Sequence, residues 1–175
     1  ATFEPAAPSL TGALSRKLHG DAGTFDLPLA PTPANPTTEP RTGGGGGNHL
    51  VVFTFDKAVT SGEAAVVAGP GTAGAPTFNG NEMIVPLTGA TNAHYVTVAV
   101  SNVAAADGGT GGGGSIRLGL LAGDVNGTRS VTLADMLGVN AVLAQPVTAA
   151  NYLRDVNASG TLSLGDTMFV NAELT

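Results

Sequence analysis

"DVNASGTLSLGD", residues 155–166, repeats with variation the pattern "DVNGTRSVTLAD", residues 124–135, which lies 31 residues earlier. Aligning 124–143 with 155–174 matches nine of twenty positions identically, including Asp-Val-Asn at the start and Val-Asn-Ala near the end. Counting from the first Asp of each loop, position 1 is Asp124 or Asp155, position 3 Asn126 or Asn157, and position 5 Thr128 or Ser159. Position 7 offers a backbone carbonyl at Ser130 or Thr161, and position 12 is Asp135 or Asp166. This 1-3-5-7-12 spacing wraps hard oxygen ligands around Ca²⁺ in an EF-hand-like loop. Position 9 is a hydroxyl residue in both (Thr132, Ser163), suited to bonding through water. Position 8 is apolar in both, Val131 and Leu162, where paired loops usually meet in a two-residue strand contact. The expectation is two bound Ca²⁺ ions.

The departures set expectations as well. Each loop brings two carboxylates rather than three or four, which predicts affinities of roughly 10⁻⁴–10⁻³ M. Position 6, where the loop turns sharply, is Gly160 in the second loop but Arg129 in the first. A side chain at positive φ costs about 1–2 kcal/mol, and Arg129 adds a cation near the metal, so the second loop is the better site. After each loop the pattern predicts a helix, over 132–145, stopped by Pro146, and over 163–174. Thr132 with Asp135, and Ser163 with Asp166, are spaced as capping boxes. A short linking helix is expected near residues 148–153.

Upstream the texture differs. Residues 30–40, "APTPANPTTEP", are too proline-dense for helix or central strand. Strand-like runs follow at 49–57, 63–69, 82–88, 94–103 and 115–121, with two more at 9–17 and 24–29. The clearest is "HYVTVAVSNV": Val96, Val98 and Val100 alternate with Tyr95, Thr97 and Ala99, the period of a half-buried strand. Gly, Pro, Asn and Asp between the runs supply turns. Seven short strands at this spacing predict an antiparallel, Ig-like β-sandwich. The expected fold class is thus mixed and mainly β, a sandwich over 1–120 followed by a small α-helical pair of calcium loop–helix units over 121–175.

The tandem of loop–helix units with Asp at position 12 resembles a type I dockerin, over residues 123–175. The resemblance implies that calcium holds the fold and that the helices dock onto a cohesin-like partner. The family's partner-reading pairs fall on Leu133-Ala134 with Asn140-Ala141, and on Leu164-Gly165 with Asn171-Ala172. None is the Ser/Thr or Lys/Arg pair often found there. The strands before the repeats loosely resemble segments near the ends of large secreted bacterial proteins, which implies an extracellular or cell-surface location.

Other chemistry is sparse. The net charge is −6, with seven Lys and Arg in 175 residues, which argues against nucleic acid and anionic membranes. No run of 18 apolar residues occurs. Without cysteine there is no thiol catalysis or thiolate metal site. The start, with no Met and no basic leader segment, reads as a mature fragment. The glycine runs at 43–47 and 111–114 lack a following Lys-Ser/Thr and read as loops. His19, His49 and His94 show no zinc spacing and are expected to be ordinary surface or core residues. Arg16, Lys17, Glu39 and Arg41 are expected to form a strand-end ion-pair cluster. Asn126-Gly-Thr and Asn157-Ala-Ser fit a glycosylation sequon, but ligand demand at positions 3 and 5 generates both unaided. No nucleophile–base pair or acid pair is locatable, so no enzymatic activity is expected.

Two functions compete with the adaptor. In one, the calcium loops are an intramolecular clasp on the sandwich, which an apolar interface between Leu120, Leu121 and the helices would favour. In the other the sandwich binds carbohydrate, a weaker reading because Trp is absent and Tyr occurs only at 95 and 152.

Overall fold

The computed structural model describes residues 4–175, so the first three residues of the expected 1–120 span lie outside the described residues. The strands are β1 (Leu10–His19), β2 (Gly23–Leu29), β3 (Thr38–Glu39), β4 (His49–Phe55), β5 (Val59–Ala68), β6 (Thr72–Ala73), β7 (Thr77–Asn79), β8 (Glu82–Thr88), β9 (His94–Ala105) and β10 (Gly112–Leu120). They form two sheets. One runs β2-β1-β4-β8-β6, with β7 also paired to β8, and the other runs β3-β10-β9-β5.

Alternation dictates how the sheets meet. Val96, Val98 and Val100 of β9 are buried, whereas Tyr95 is exposed and Thr97 and Ala99 are half-buried. They join Leu118 of β10 and, from the other sheet, Val51, Phe53, Met83 and Val85 in one shared core. In-register pairs Val51↔Val85 and Phe53↔Met83 place four of these side chains on the same face. Burying each such side chain contributes roughly 1.5–3 kcal/mol, which makes this core the main source of stability.

Past Leu120 the chain builds a second, smaller core from Val125, Val131, Val139, Val156 and Val170. All but Val139 and Val170 come from the loops rather than the helices. The helices themselves are α1 (Leu133–Asn140) and α2 (Leu164–Ala172).

The expected fold class needs correction on two counts. First, the sheets are not wholly antiparallel: β3 runs parallel to β10, pairing Gly119↔Thr38 and Leu120↔Glu39. Pro36 and Pro40 on either side keep this strand to two residues at a sheet edge. Second, the C-terminal region does not clearly show the expected dockerin-like α-helical pair. Its helices have eight and nine residues, and most of the rest is turn and loop. The first stops at Asn140, well before Pro146: Val142 and Leu143 N–H turn to the carbonyls three residues back, and Ala144 adopts a left-handed φ of 62°. There its N–H donates to the Leu162 carbonyl at 2.9 Å, so a bond to the other loop replaces continued helix. The linking helix shrinks to a 3₁₀ turn at Tyr152–Arg154. Among the described residues the chain is mainly β, with two sheets and two short α-helices. Among the described residues, no helix is long and apolar enough to cross a membrane.

The expected ion-pair cluster divides into separate sets. Arg16 bridges Asp26 and Glu82 on the first sheet. Glu39 and Arg41 form a fully buried pair. Lys17 donates to the Thr42 carbonyl, and burial lowers its pKa. His49 is buried beside them. Burial, with the Lys17 charge adding to it, pushes its pKa down to about 4.

Candidate metal loops and their seat on the sheet

Both predicted capping boxes are present. The Thr132 hydroxyl accepts from Ala134 N–H and the Asp135 carboxylate from Thr132 N–H, and Ser163 with Asp166 repeats the arrangement. Each carboxylate at position 12 thereby turns back toward its own loop. Asp135 Oδ1 accepts the Asn126 N–H at 3.1 Å, and Asp166 Oδ1 accepts the Asn157 N–H at 3.4 Å. Position 1 closes the other side. Asp124 accepts from Thr128 and Arg129 N–H, both at 2.9 Å, and Asp155 accepts from Ser159 at 3.0 Å and Gly160 at 2.8 Å. The hydroxyls of Thr128 and Ser159 reach the carbonyls of Ser130 and Thr161 at 3.4 and 3.2 Å. The ten residues expected as ligands are therefore gathered, five to a loop, in one chain of hydrogen bonds per loop.

The donor set suits Ca²⁺. It consists of hard oxygens: two carboxylates, an amide, a hydroxyl and a backbone carbonyl in each loop. Asp124, Asp135, Asp155 and Asp166 are all buried. Burying a carboxylate without a compensating cation is costly, yet no Lys or Arg side chain forms a salt bridge with any of the four among the described residues. Burial raises the Asp166 pKa, and the negative charge of Asp155 adds to it, as expected of carboxylates converging on a common centre. No three His, Cys, Asp or Glu side chains converge among the described residues, so a cation here would rely on neutral oxygens for the rest of its shell.

Backbone strain is distributed differently from expectation. Arg129 has φ 69°, as its place at position 6 predicts, but Ala158 at position 4 of the second loop has φ 56°. The glycines, Gly127 at position 4 of the first loop and Gly160 at position 6 of the second, have φ 72° and 86°. Each loop thus holds one glycine and one strained residue, in opposite order, and backbone strain does not favour the second loop.

The apolar eighth positions do not form the expected strand contact with each other. Instead the Val131 carbonyl accepts from Thr175 N–H at 3.2 Å, and the Leu162 carbonyl from Ala144 N–H at 2.9 Å. Residues 144 and 175 occupy equivalent places in the repeat, so each half closes the loop of the other. The helices also touch directly: Thr167 donates to Asn140 Oδ1 at 2.7 Å, which accounts for Asn140. Their outer faces carry Leu133 and Leu137, 60% and 64% exposed, and at equivalent positions Leu164 and Met168, 67% and 72% exposed.

His19, far from an ordinary histidine, is the main residue that sequence reasoning missed. It ends β1, is fully buried, and its Nδ1 lies 2.8 Å from Asp155 Oδ2. Its Nε2 faces Arg41 Nη1 at 3.3 Å. Arginine only donates, so Nε2 accepts and Nδ1–H donates to the carboxylate. Arg41 in turn forks onto Glu39 with two 2.7 Å bonds and donates to the Ser15 and Phe25 carbonyls. Burial acts to raise the Asp155 pKa, but the bonds from His19 and the Gly160 and Ser159 N–H groups outweigh it and pull the carboxyl below its usual range. Glu39 follows the same logic: burial is overridden by Arg41, and the carboxyl is lowered.

The β1–β2 turn fits against the second loop as closely as backbone allows. A Cβ on Gly20 would overlap the Ser159 carbonyl, and one on Gly160 would lie 2.6 Å from the His19 carbonyl oxygen. Tyr152 stacks on Phe25 with centroids 5.2 Å apart and donates to the Asp26 carbonyl at 2.9 Å. Thr42 N–H donates to the Val156 carbonyl, and Asn92 reaches Glu173, both at 2.8 Å. Leu120 belongs to the sheet core and Leu121 packs on the second. The contacts between the sheets and the loops thus combine hydrogen bonds with the Tyr152–Phe25 stack. Of the two tyrosines, Tyr95 has its ring face covered by the Arg117 guanidinium, 4.3 Å away.

No protein-family model matches the chain, and neither curated proteins nor solved structures include one that matches it.

Proposed function

We propose that this chain is a non-catalytic calcium-binding module of an extracellular protein, its two loops holding one Ca²⁺ each through Asp124, Asn126, Thr128, Ser130 and Asp135, and through Asp155, Asn157, Ser159, Thr161 and Asp166. The observation that carries this reading is the burial of four carboxylates inside loops of otherwise neutral oxygens. Calcium supplies the positive charge these carboxylates lack. The protein's part is to gather the oxygens, hold each loop to its helix through the capping box, and tie the loops to one another.

Calorimetric titration with calcium tests it, on the wild type and on Asp155→Ala, with melting curves in chelator alongside. Two binding events, one lost in the variant, are expected, with a rise in melting temperature. Absence of both heat and thermal shift would leave the repeats as capped turns.

The module's outward role in this reading is docking to a cohesin-like protein. The duplicated pairs Leu133/Leu137 and Leu164/Met168 support it, because large apolar side chains left this exposed at matched positions suit a partner surface. A second reading, the intramolecular clasp, is favoured by the His19–Asp155 bond and the seat of Tyr152 on β2. Leu137→Lys with Met168→Lys separates the two: capture of a cohesin-like protein would be lost in the first case, and in the second there would be no capture to lose.

A further inference from the structure

Resting on the calcium reading, we infer that the second loop is a composite site, in which the β1–β2 turn of the sheet domain sets calcium affinity through His19. His19 is a positioning residue and not a ligand. Its Nδ1–H fixes Asp155 Oδ2, while Gly160 N–H bonds the same oxygen at 2.8 Å. Oδ1 takes the Ser159 N–H at 3.0 Å, so the position-1 carboxylate is oriented before any metal arrives. Arg41 fixes the imidazole from behind and is itself locked by Glu39. Partners of this kind typically change metal affinity by about 10–100-fold when removed.

The first loop supplies the internal control. Its position-1 carboxylate, Asp124, accepts from the equivalent backbone groups, Thr128 and Arg129 N–H, but no side chain from the sheets bonds to it. At the position equivalent to Gly160, which is pressed by the His19 carbonyl, the first loop carries Arg129, whose side chain reaches out to Asn35 Oδ1 at 3.0 Å. Two loops that share one ligand pattern therefore differ in whether the sheet domain forms part of the site. Linkage makes the effect reciprocal: calcium in the second loop must tighten the turn around His19 by the same factor that the turn tightens calcium.

The test uses the full chain and calcium alone. Asp124→Ala isolates the second loop and Asp155→Ala the first, and His19→Ala is added to each. We expect His19→Ala to weaken calcium about tenfold or more at the second loop and less than about twofold at the first. His19→Asn, which keeps an N–H donor at the same distance from Cβ, should recover most of the loss, a rescue that mere packing would not give. Should His19→Ala unfold, Gly20→Ala disturbs the same seat with every hydrogen-bonding side chain retained, and a weakening confined to the second loop is again expected. Amide exchange of the wild type needs no variant and should show calcium slowing exchange at residues 19–23. Equal weakening at both loops, no weakening at either, or unchanged exchange at 19–23 would overturn the inference while leaving the calcium reading intact. A wild type that takes up no calcium would remove both.

Discussion

The sharpest test of the seat between sheet and loop is a pair of glycine-to-alanine substitutions. Gly127 and Gly160 share a left-handed backbone, at φ 72° and 86°. Alanine at either costs roughly 1–2 kcal/mol from that conformation alone. Around Gly127 the added methyl meets nothing within 4 Å, so the cost ends there. At Gly160 it would lie 2.6 Å from the His19 carbonyl oxygen, well inside contact distance. Relief requires the β1–β2 turn to back away, which stretches the His19–Asp155 bond and loosens Tyr152. Overpacking of this kind costs about 1–3 kcal/mol. Gly127→Ala should therefore lose about 1–2 kcal/mol and Gly160→Ala about 2–5 kcal/mol. Urea denaturation in chelator measures both while keeping metal out of the comparison. Losses equal to within about 0.5 kcal/mol would refute the close seat of the turn on the second loop.

Other perturbations follow from individual residues. Arg129→Gly and Ala158→Gly should each relieve a strained φ, for a net gain of about 0.5–1 kcal/mol after the added freedom of the unfolded chain; thermal melts giving a loss at both would contradict the strain. His49 has a folded pKa of about 4 against an ordinary 6.5, so the unfolded chain binds its proton first. Its contribution is fully present above about pH 6.5 and is lost as pH falls toward 4, about 3 kcal/mol in all. His49→Gln should flatten that part of the acid profile, and an unchanged slope in urea midpoints between pH 7 and 4 would count against it. Leu137→Lys with Met168→Lys, both at exposed positions, should change stability by less than about 0.5 kcal/mol; a larger loss in denaturant would mean these side chains pack at home.

What the sequence revealed depended on whether a signal was local. Alternation in "HYVTVAVSNV" assigned the inner face of β9 correctly, because a strand's burial pattern is written along its own residues. Both capping boxes, and the gathering of the first and twelfth residues of each loop, were legible for the same reason. The β3–β10 pairing was hidden, since two residues between prolines carry no period and are held by a strand some 80 residues away. The end of α1 was misjudged because the chain past Asn140 tightens into turns that bring Ala144 N–H to the Leu162 carbonyl, a contact that no propensity at Ala144 announces. His19 was missed because its partner lies 136 residues along the chain. A lone histidine at a strand end looks the same whether it meets solvent or a carboxylate.

The opposite placement of glycine in the two loops has a consequence for how such a duplication can change. Were recombination to copy the middle of one loop over the other, the first could receive "NASG" without obstruction, because space is open around Gly127. The second could not receive "NGTR": an arginine at position 160 would meet the carbonyl of His19. Exchange between the halves is thus permitted in one direction only. The helices keep an interchangeable outer face, while one loop has become committed to its neighbouring sheet, so further drift toward identity must run from the second repeat into the first.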